Sequence, residues 1–308
     1  MPSKQGAAPR EIDALARERM VARAARDFAV ADRLRDEIVE AGWEVKDGAG
    51  GFELSPRAQP GETYPAYNAV PAAHQEPDAC EHSLCVAFHG WSEDVERLLA
   101  ALLDSAGSRL AEVELVLAVA GGETGEQLAH AAHPALRGAP LVVRVREDLG
   151  QAQALNVAAR RSHGHVVHFV EPSLEFGWDV LDRSAALLRD EGIGACGPLG
   201  LVTEDWREFQ PAPPGEVMAL EYLVSVRRAD IPAIGEMDPG FRFYRNLDLD
   251  YSRQVAAAGF RLRSYDLGVT RHAHRLWEST EPTERDRLSR RNFNRLLDRW
   301  VRGDAPAS

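Results

Sequence analysis

Residues 147–176 read EDLGQAQALNVAARRSHGHVVHFVEPSLEF, and the reading of this stretch decides the fold. Apolar positions at helical spacing run from Gln151 to Ser162, Gly164 interrupts them, and the apolar run 166–170 follows as a strand that stops at Glu171. The same alternation extends upstream. Strand-like runs at 84–88, 113–119 and 141–145 are followed by helical patterns at 93–103, 124–132 and 151–162. Strand and helix in strict alternation predict an α/β domain built on a mostly parallel sheet. Beyond Gly194 the pattern loosens, and it closes with a charged helix, 284–300, whose Leu288, Phe293, Leu296, Leu297 and Trp300 form a packing stripe.

Upstream of the sheet, composition shifts twice. From Ile12 to Gly42 the chain is rich in Ala, Arg, Glu and Asp, with apolar residues every three or four positions. A break near Asp27 makes this two antiparallel helices, and WEVKDGAGGFEL reads as a hairpin turning at 47–51. Residues 56–82, with Pro56, Pro60, Pro65, Pro71 and Pro77, have almost no apolar periodicity and read as a linker. The expected organisation is therefore a helical hairpin module at 1–55, the linker, and a large domain at 83–303.

The 308 residues are 44% hydrophobic, which suits a large core and excludes global disorder. A formal net charge of -12 excludes a general basic field for nucleic acid. No apolar run approaches the length of about 18 residues that spans a bilayer. The start, MPSKQGAAPREIDALARER, is charged where a signal peptide needs an apolar stretch, so a cytoplasmic chain is expected. Cys80, Cys85 and Cys196 lack zinc-site spacing and read as reduced thiols, Cys85 and Cys196 as small core residues.

Two motifs carry the functional reading. In the opening stretch, Gly150, Ala154, Asn156 and Gly164 keep the spacing of NxGxxxAxNxGxxxAxGxxxxxLDxD, with Glu171 and Ser173 where the acidic pair falls. Further on, MDPGFRFYRNLDLDYSRQVAAAGFRLRSY parallels FDExFxxYxEDxDLxxRxxxAGYxxxY through Asp238, Phe241, Tyr244, Asp248, Asp250, Arg253, Gly259 and Phe260, and GVTRHAH follows. Over some 210 residues the chain thus resembles a family 2 glycosyltransferase with the GT-A fold. That resemblance implies a mixed sheet flanked by helices and an inverting transfer from a nucleotide-sugar donor to an unknown acceptor. It assigns the general base to Asp248, donor or substrate contacts to Gly150, Asn156, Asp250 and Arg253, and Mn²⁺ or Mg²⁺ to Glu171 and His272, with His274 as the alternative to His272. Such chemistry needs a cation to neutralise the departing diphosphate and a base for the acceptor proton.

Departures from the pattern leave a rival open. Phe88-His89-Gly90-Trp91 follows the first strand, Ala118-Val119-Ala120-Gly121-Gly122 stands where acids contact the nucleotide, and Ser173 replaces the second metal acid. A catalytically silent GT-A scaffold that binds a nucleotide, glycan or protein is the alternative. A third reading starts from LARERMVARAARDFAVADRLRDEIVEAGWEVKDGAGGFEL, which resembles the C-terminal helical module of cysteinyl-tRNA synthetase and implies a tRNA-associated adaptor. Residues 1–50 carry nine Lys or Arg against ten Asp or Glu, so Arg23, Arg26, Arg33 and Arg35 are expected to pair with Asp27, Asp32, Asp36 and Glu37 rather than grip phosphates. The hairpin is accordingly expected to make weak tRNA contacts or protein contacts.

Overall fold

The computed structural model describes residues 10–40, 43–48, 51–56, 61–120, 136 and 140–302. The expected helix at 124–132 lies outside them. The first unit is a helical hairpin, α1 (Arg10–Ala24) and α2 (Phe28–Glu40), followed by the antiparallel pair β1 (Trp43–Gly48) and β2 (Gly51–Pro56). Arg26 takes a left-handed φ of 59° at the corner, and the Asp27 carboxylate accepts the Val30 N–H at 3.2 Å to start α2. Ile12, Ala16, Ile38 and Trp43 form its core. Most of its arginines are held within the unit, Arg26 not among them: Arg19 and Arg23 reach Asp47 at 2.7 and 3.2 Å, Arg33 reaches Glu37, and Arg35 reaches Asp32 and Asp36. Arg23 therefore pairs across to the β-hairpin instead of with Asp27.

The large unit runs β3 (Glu62–Tyr64), β4 (Cys80–Phe88), α3 (Ser92–Ala106), β5 (Val113–Val119), β6 (Leu141–Val145), α4 (Gln151–Arg160), β7 (Gly164–Val170), β8 (Leu174–Phe176), α5 (Trp178–Leu187) and β9 (Ile193–Gly197). It continues through β10 (Gly200–Val202), β11 (Gln210–Pro211), β12 (Gly215–Val217), β13 (Ala219–Leu220), β14 (Leu223–Arg227), α6 (Ile231–Ile234), α7 (Leu247–Ala257), β15 (Arg261–Ser264), β16 (Val269–Arg271), α8 (Arg275–Ser279) and α9 (Pro282–Leu297). The central sheet has the order β12-β15-β9-β14-β7-β4-β5-β6-β3 among the described residues. Strands β7, β4, β5, β6 and β3 are mutually parallel, while β14 lies antiparallel between β7 and β9.

Alternate residues of β4 face opposite layers: Leu84, Val86 and Phe88 join one core cluster with residues of α3 and α5, and Cys85 and Ala87 join the other with residues of α4 and α7. The two-sided burial explains why the strands read as continuous apolar runs. The expected linker needs correction. From Glu62 it is part of the large unit: β3 extends the sheet beside β6, and Tyr67, Val70 and Ala73 are buried. Arg228, itself buried, holds residues 73–78 by donating to the Ala73 and Glu76 carbonyls and to Asp78. Proline removed the periodicity that would have marked this segment as packed.

Candidate active site

The site gathers at the carboxyl ends of the parallel strands, where open α/β sheets leave a crevice. Strand β4 ends by delivering His89, whose Nε2 lies 2.7 Å from the Gln151 Oε1 at the start of α4; burial holds the imidazole below its ordinary pKa. Strand β7 ends by delivering Glu171. The antiparallel β14 begins at the same end of the sheet, since Leu223 pairs with Val170, and brings Tyr222 alongside.

Tyr222 links the two acidic positions. Its carbonyl accepts the Glu171 N–H at 2.9 Å, and its own N–H donates to Asp248 Oδ2 at 3.1 Å. The other carboxylate oxygen of Asp248 accepts the Leu249 N–H at 3.0 Å. Tyr222 does this with φ at 64°, and Asn246, which precedes α7, has φ at 65°. Two non-glycine residues in the left-handed region within this small neighbourhood are strain that the surrounding packing must hold, a feature that concentrates at functional sites. Glu171 and Asp248 line one small cavity of about 40 Å³ with Gln151, Tyr222 and Tyr244. Burial, then the neighbouring Glu221 carboxylate, raise the Asp248 pKa to about 7 against the stabilising effect of its two N–H donors. Beyond Asp248 a wider cleft of about 500 Å³ opens between Tyr244, Phe209 and Phe293.

The histidine facing Glu171 is His274. Its Nε2 lies 2.9 Å from Glu171 Oε2, and its ring stacks on Tyr244 at a centroid distance of 3.6 Å. His272, expected at the metal, instead meets Glu175 at 2.8 Å, while its N–H donates to the Ser173 carbonyl as an extension of the β16–β8 pairing. Ser173 donates to Glu171 Oε2 at 3.2 Å. Among the described residues no cluster of three His, Cys, Asp or Glu is placed to hold a metal. A two-donor site does fit. His274 Nε2 and Glu171 Oε2 lie 2.9 Å apart, about the separation of adjacent donors on octahedral bonds of about 2.1 Å, and Glu171 Oε1 is buried with no hydrogen-bond partner. Ions of this kind are commonly held by one or two protein groups plus substrate phosphates.

Four of the expected contacts lie elsewhere. Gly150 precedes α4, but the first helical N–H groups are taken by protein: Gln151 donates to the Arg242 carbonyl and Ala152 to that of Phe241. A Cβ on Gly150 would sit 2.8 Å from the Arg242 Cα, so the glycine permits close backbone approach. Gly150→Ala is accordingly expected to cost about 1–3 kcal/mol in urea unfolding; an unchanged midpoint would contradict the close-approach role. Asn156 is buried as a clamp, exchanging hydrogen bonds with both backbone groups of Met237 and donating to the Tyr67 hydroxyl. Asp250 is fully buried and holds the Arg299 guanidinium and the Trp300 indole N–H. Arg253 lies over the rings of Trp206 and Trp300. None of these four lines the cavity at Glu171 or the wider cleft.

Sequence reasoning missed Tyr222 and Gln151, which carry no family letter in this chain. His89 was visible only as a departure. Of the nucleotide-side run 118–122, the described part ends at Ala120, whose N–H donates to the Phe88 carbonyl; Gly121 and Gly122 lie outside the described residues.

No family model matches the sequence. Over 48 residues the chain is 50% identical to a cysteine–tRNA ligase of Opitutus terrae, which covers 16% of this chain and 10% of the ligase. Among solved structures, that of GalNAc-T7 with UDP, GalNAc and Mn²⁺ matches at a TM-score of 0.55 and 18% identity, over 72% of this chain and 48% of that one. The mannosyltransferase PcManGT from Pyrobaculum calidifontis, in complex with GDP-Man and Mn²⁺, matches at 0.48 and 18% identity, over 68% and 58%. This chain thus spans about half the length of the GalNAc-T7 chain and a tenth of the ligase. The large mixed sheet, its flanking helices and the strand ends that build the crevice have the GT-A glycosyltransferase fold.

Proposed function

We propose that this chain is an inverting glycosyltransferase that takes its sugar from a nucleoside-diphosphate sugar, with Asp248 as general base and a divalent cation, Mn²⁺ or Mg²⁺, held by Glu171 and His274. The observation that carries the reading is that Asp248, its pKa raised to about 7, lines one cavity with Glu171, both acids hydrogen-bonded to the strained Tyr222, while His274 meets Glu171 at 2.9 Å. Asp248 takes the proton of the acceptor hydroxyl as that oxygen bonds to the anomeric carbon, and the bond to the diphosphate breaks with its electron pair leaving on the nucleotide. When bound, the cation neutralises charge on the departing diphosphate. The Tyr222 and Leu249 N–H groups fix the orientation of Asp248.

The test is hydrolysis of UDP- and GDP-sugars by the full chain without acceptor. Expected is slow release of nucleoside diphosphate that needs Mn²⁺ or Mg²⁺ and is lost in Glu171→Ala. Thermal stabilisation by nucleotide without any hydrolysis would favour the silent scaffold instead, the reading supported by Ser173 at the second acid position. The N-terminal hairpin is proposed to act through structural or protein contacts, with tRNA contact at most weak, because most of its arginines are engaged internally. No described helix is long and apolar enough to cross a membrane. A cytoplasmic setting remains part of the proposal.

A further inference from the structure

The wider cleft beyond Asp248 has an unusual charge arrangement. Its wall carries three exposed guanidinium groups, Arg207, Arg245 and Arg290, together with Glu221 and Asp248. Burial raises the pKa of Glu221, and burial plus Glu221 raises that of Asp248, so near neutrality the two acids hold less than two negative charges. Three permanent positive charges therefore exceed them.

These arginines are weakly engaged. Arg290 makes no hydrogen bond or ion pair among the described residues, Arg245 meets the Tyr244 hydroxyl and lies over the Trp277 ring at 5.6 Å, and Arg207 has only the exposed Asp205 at 3.8 Å. Elsewhere on α9, Arg287 pairs with Glu284 and Arg295 with Asp238. Ser289 Oγ, which also lines the cleft, is buried without a hydrogen-bond partner. Arg290 is shared with a second groove of about 1030 Å³ along α9, where Arg287, Arg291, Arg295 and Arg299 outnumber Asp286 and Asp298. A ligand leaving the Asp248 cleft past Arg290 thus continues over basic surface. Tyr244, Phe209 and Phe293 supply the apolar walls.

We propose that this cleft is the acceptor subsite and that the acceptor is anionic, carrying a phosphate or carboxylate close to the hydroxyl presented to Asp248. The proposal rests on the glycosyltransferase reading for the role of Asp248, while the anion site itself follows from the arginines alone. Guanidinium groups bind both anions through paired N–H donors, the orphaned Ser289 hydroxyl supplies a further polar contact, and a neutral sugar would leave the arginines unmatched.

Calorimetry on the full chain, without donor or metal, tests it. The probes are glycerol 3-phosphate and glucuronate, with glycerol and glucose as neutral counterparts. One anion is expected to bind at least about ten-fold more tightly than its neutral counterpart, to weaken about ten-fold in Arg245→Ala and in Arg290→Ala, and to weaken further with added salt. Tighter glycerol 3-phosphate identifies the phosphate source, and tighter glucuronate the carboxylate. Equal binding of neutral and anionic probes, or anion binding indifferent to both substitutions, overturns the proposal. Because no turnover is measured, a protein that binds the anion through these arginines yet never hydrolyses a nucleotide sugar refutes the transferase reading and leaves the anion site standing.

Discussion

Replacing Asp248 by Asn is expected to lower sugar transfer by roughly 10²- to 10⁴-fold, the usual contribution of a positioned general base. The substitution preserves size and removes only the ability to take a proton. The carboxylate accepts two backbone N–H groups, from Tyr222 and Leu249, and an amide oxygen can replace only one of these acceptors, so a modest stability loss accompanies the kinetic one. The pH profile separates the two effects. With the Asp248 pKa raised to about 7 by burial and by Glu221, the base is protonated in acid, and kcat/KM of the parent rises through an apparent pKa near 7. Asp248→Asn retains none of that limb, and binding of nucleoside diphosphate stays near the parent value. Transfer that survives the substitution, or a parent profile flat between pH 6 and 8, would remove Asp248 from the chemistry.

The second large effect is on stability in mild acid. His82 on β4 and His168 on β7 meet at 3.1 Å between Nδ1 and Nε2 inside the sheet, and His168 continues to the Ser225 hydroxyl at 2.8 Å, then Ser184 and Tyr265. Both rings are buried, His82 with Trp178 edge-on at 5.4 Å. Burial lowers the His82 pKa to about 4 and that of His168 well below its ordinary value. Between pH 6.5 and 4 the unfolded chain therefore binds a proton at His82 that the folded chain refuses, and stability is lost as pH falls. The accumulated loss from His82 is about 3 kcal/mol. Asp248 acts oppositely, because its raised pKa makes the folded chain bind a proton as pH falls through 7, so the parent curve shows only the net result. A difference measurement isolates His82: the unfolding free energy of His82→Phe minus that of the parent should grow by about 3 kcal/mol from pH 7 to pH 4. The paired carboxylates Glu62 and Glu236, lowered from an ordinary value of 4.5, begin to lose their stabilisation at the acid end of that window, and Asp78, lowered from 3.8, below it, in parent and variant alike. A difference that stays constant across it would show that the buried histidines do not govern acid stability.

Much of this architecture is local information. The alternation of apolar runs and helical patterns from Leu84 onward is written in consecutive residues, because a strand buried on both faces must be apolar throughout and a covering helix must repeat every three or four positions. Asp248 was singled out not by periodicity but by the resemblance of residues 237–265 to the family 2 glycosyltransferase motif. It opens a helix at a fixed distance from Tyr244 and Gly259, and the helix carries that register into space. The strand end before Glu171 was legible because the apolar run stops there, whereas the metal role proposed for Glu171 came from the resemblance.

What the sequence could not decide depends on pairings between distant segments. Whether His272 or His274 faces Glu171 is a matter of two residues, set by the register of β16 on β8 and by where that pairing ends. That register aligns Arg271 with Leu174 and leaves His272 beside Glu175, so the chain turns toward Glu171 only at His274. Gly150 and Asn156 looked like ligand contacts because small and polar residues beside a helix start suit either role, and only the arrival of residues 237–242 showed both already engaged by protein. The prolines of 56–82 hid a strand and a buried Tyr67 because their partners, β6 and α4, lie some 80 to 90 residues away in the chain. The sequence by itself determined the layered fold, since short-range periodicity encodes it, while the two acids were proposed from the resemblance to family 2 glycosyltransferases. Tertiary structure alone decided which side chains remain free to meet a substrate, because a side chain's freedom depends on every segment that packs against it.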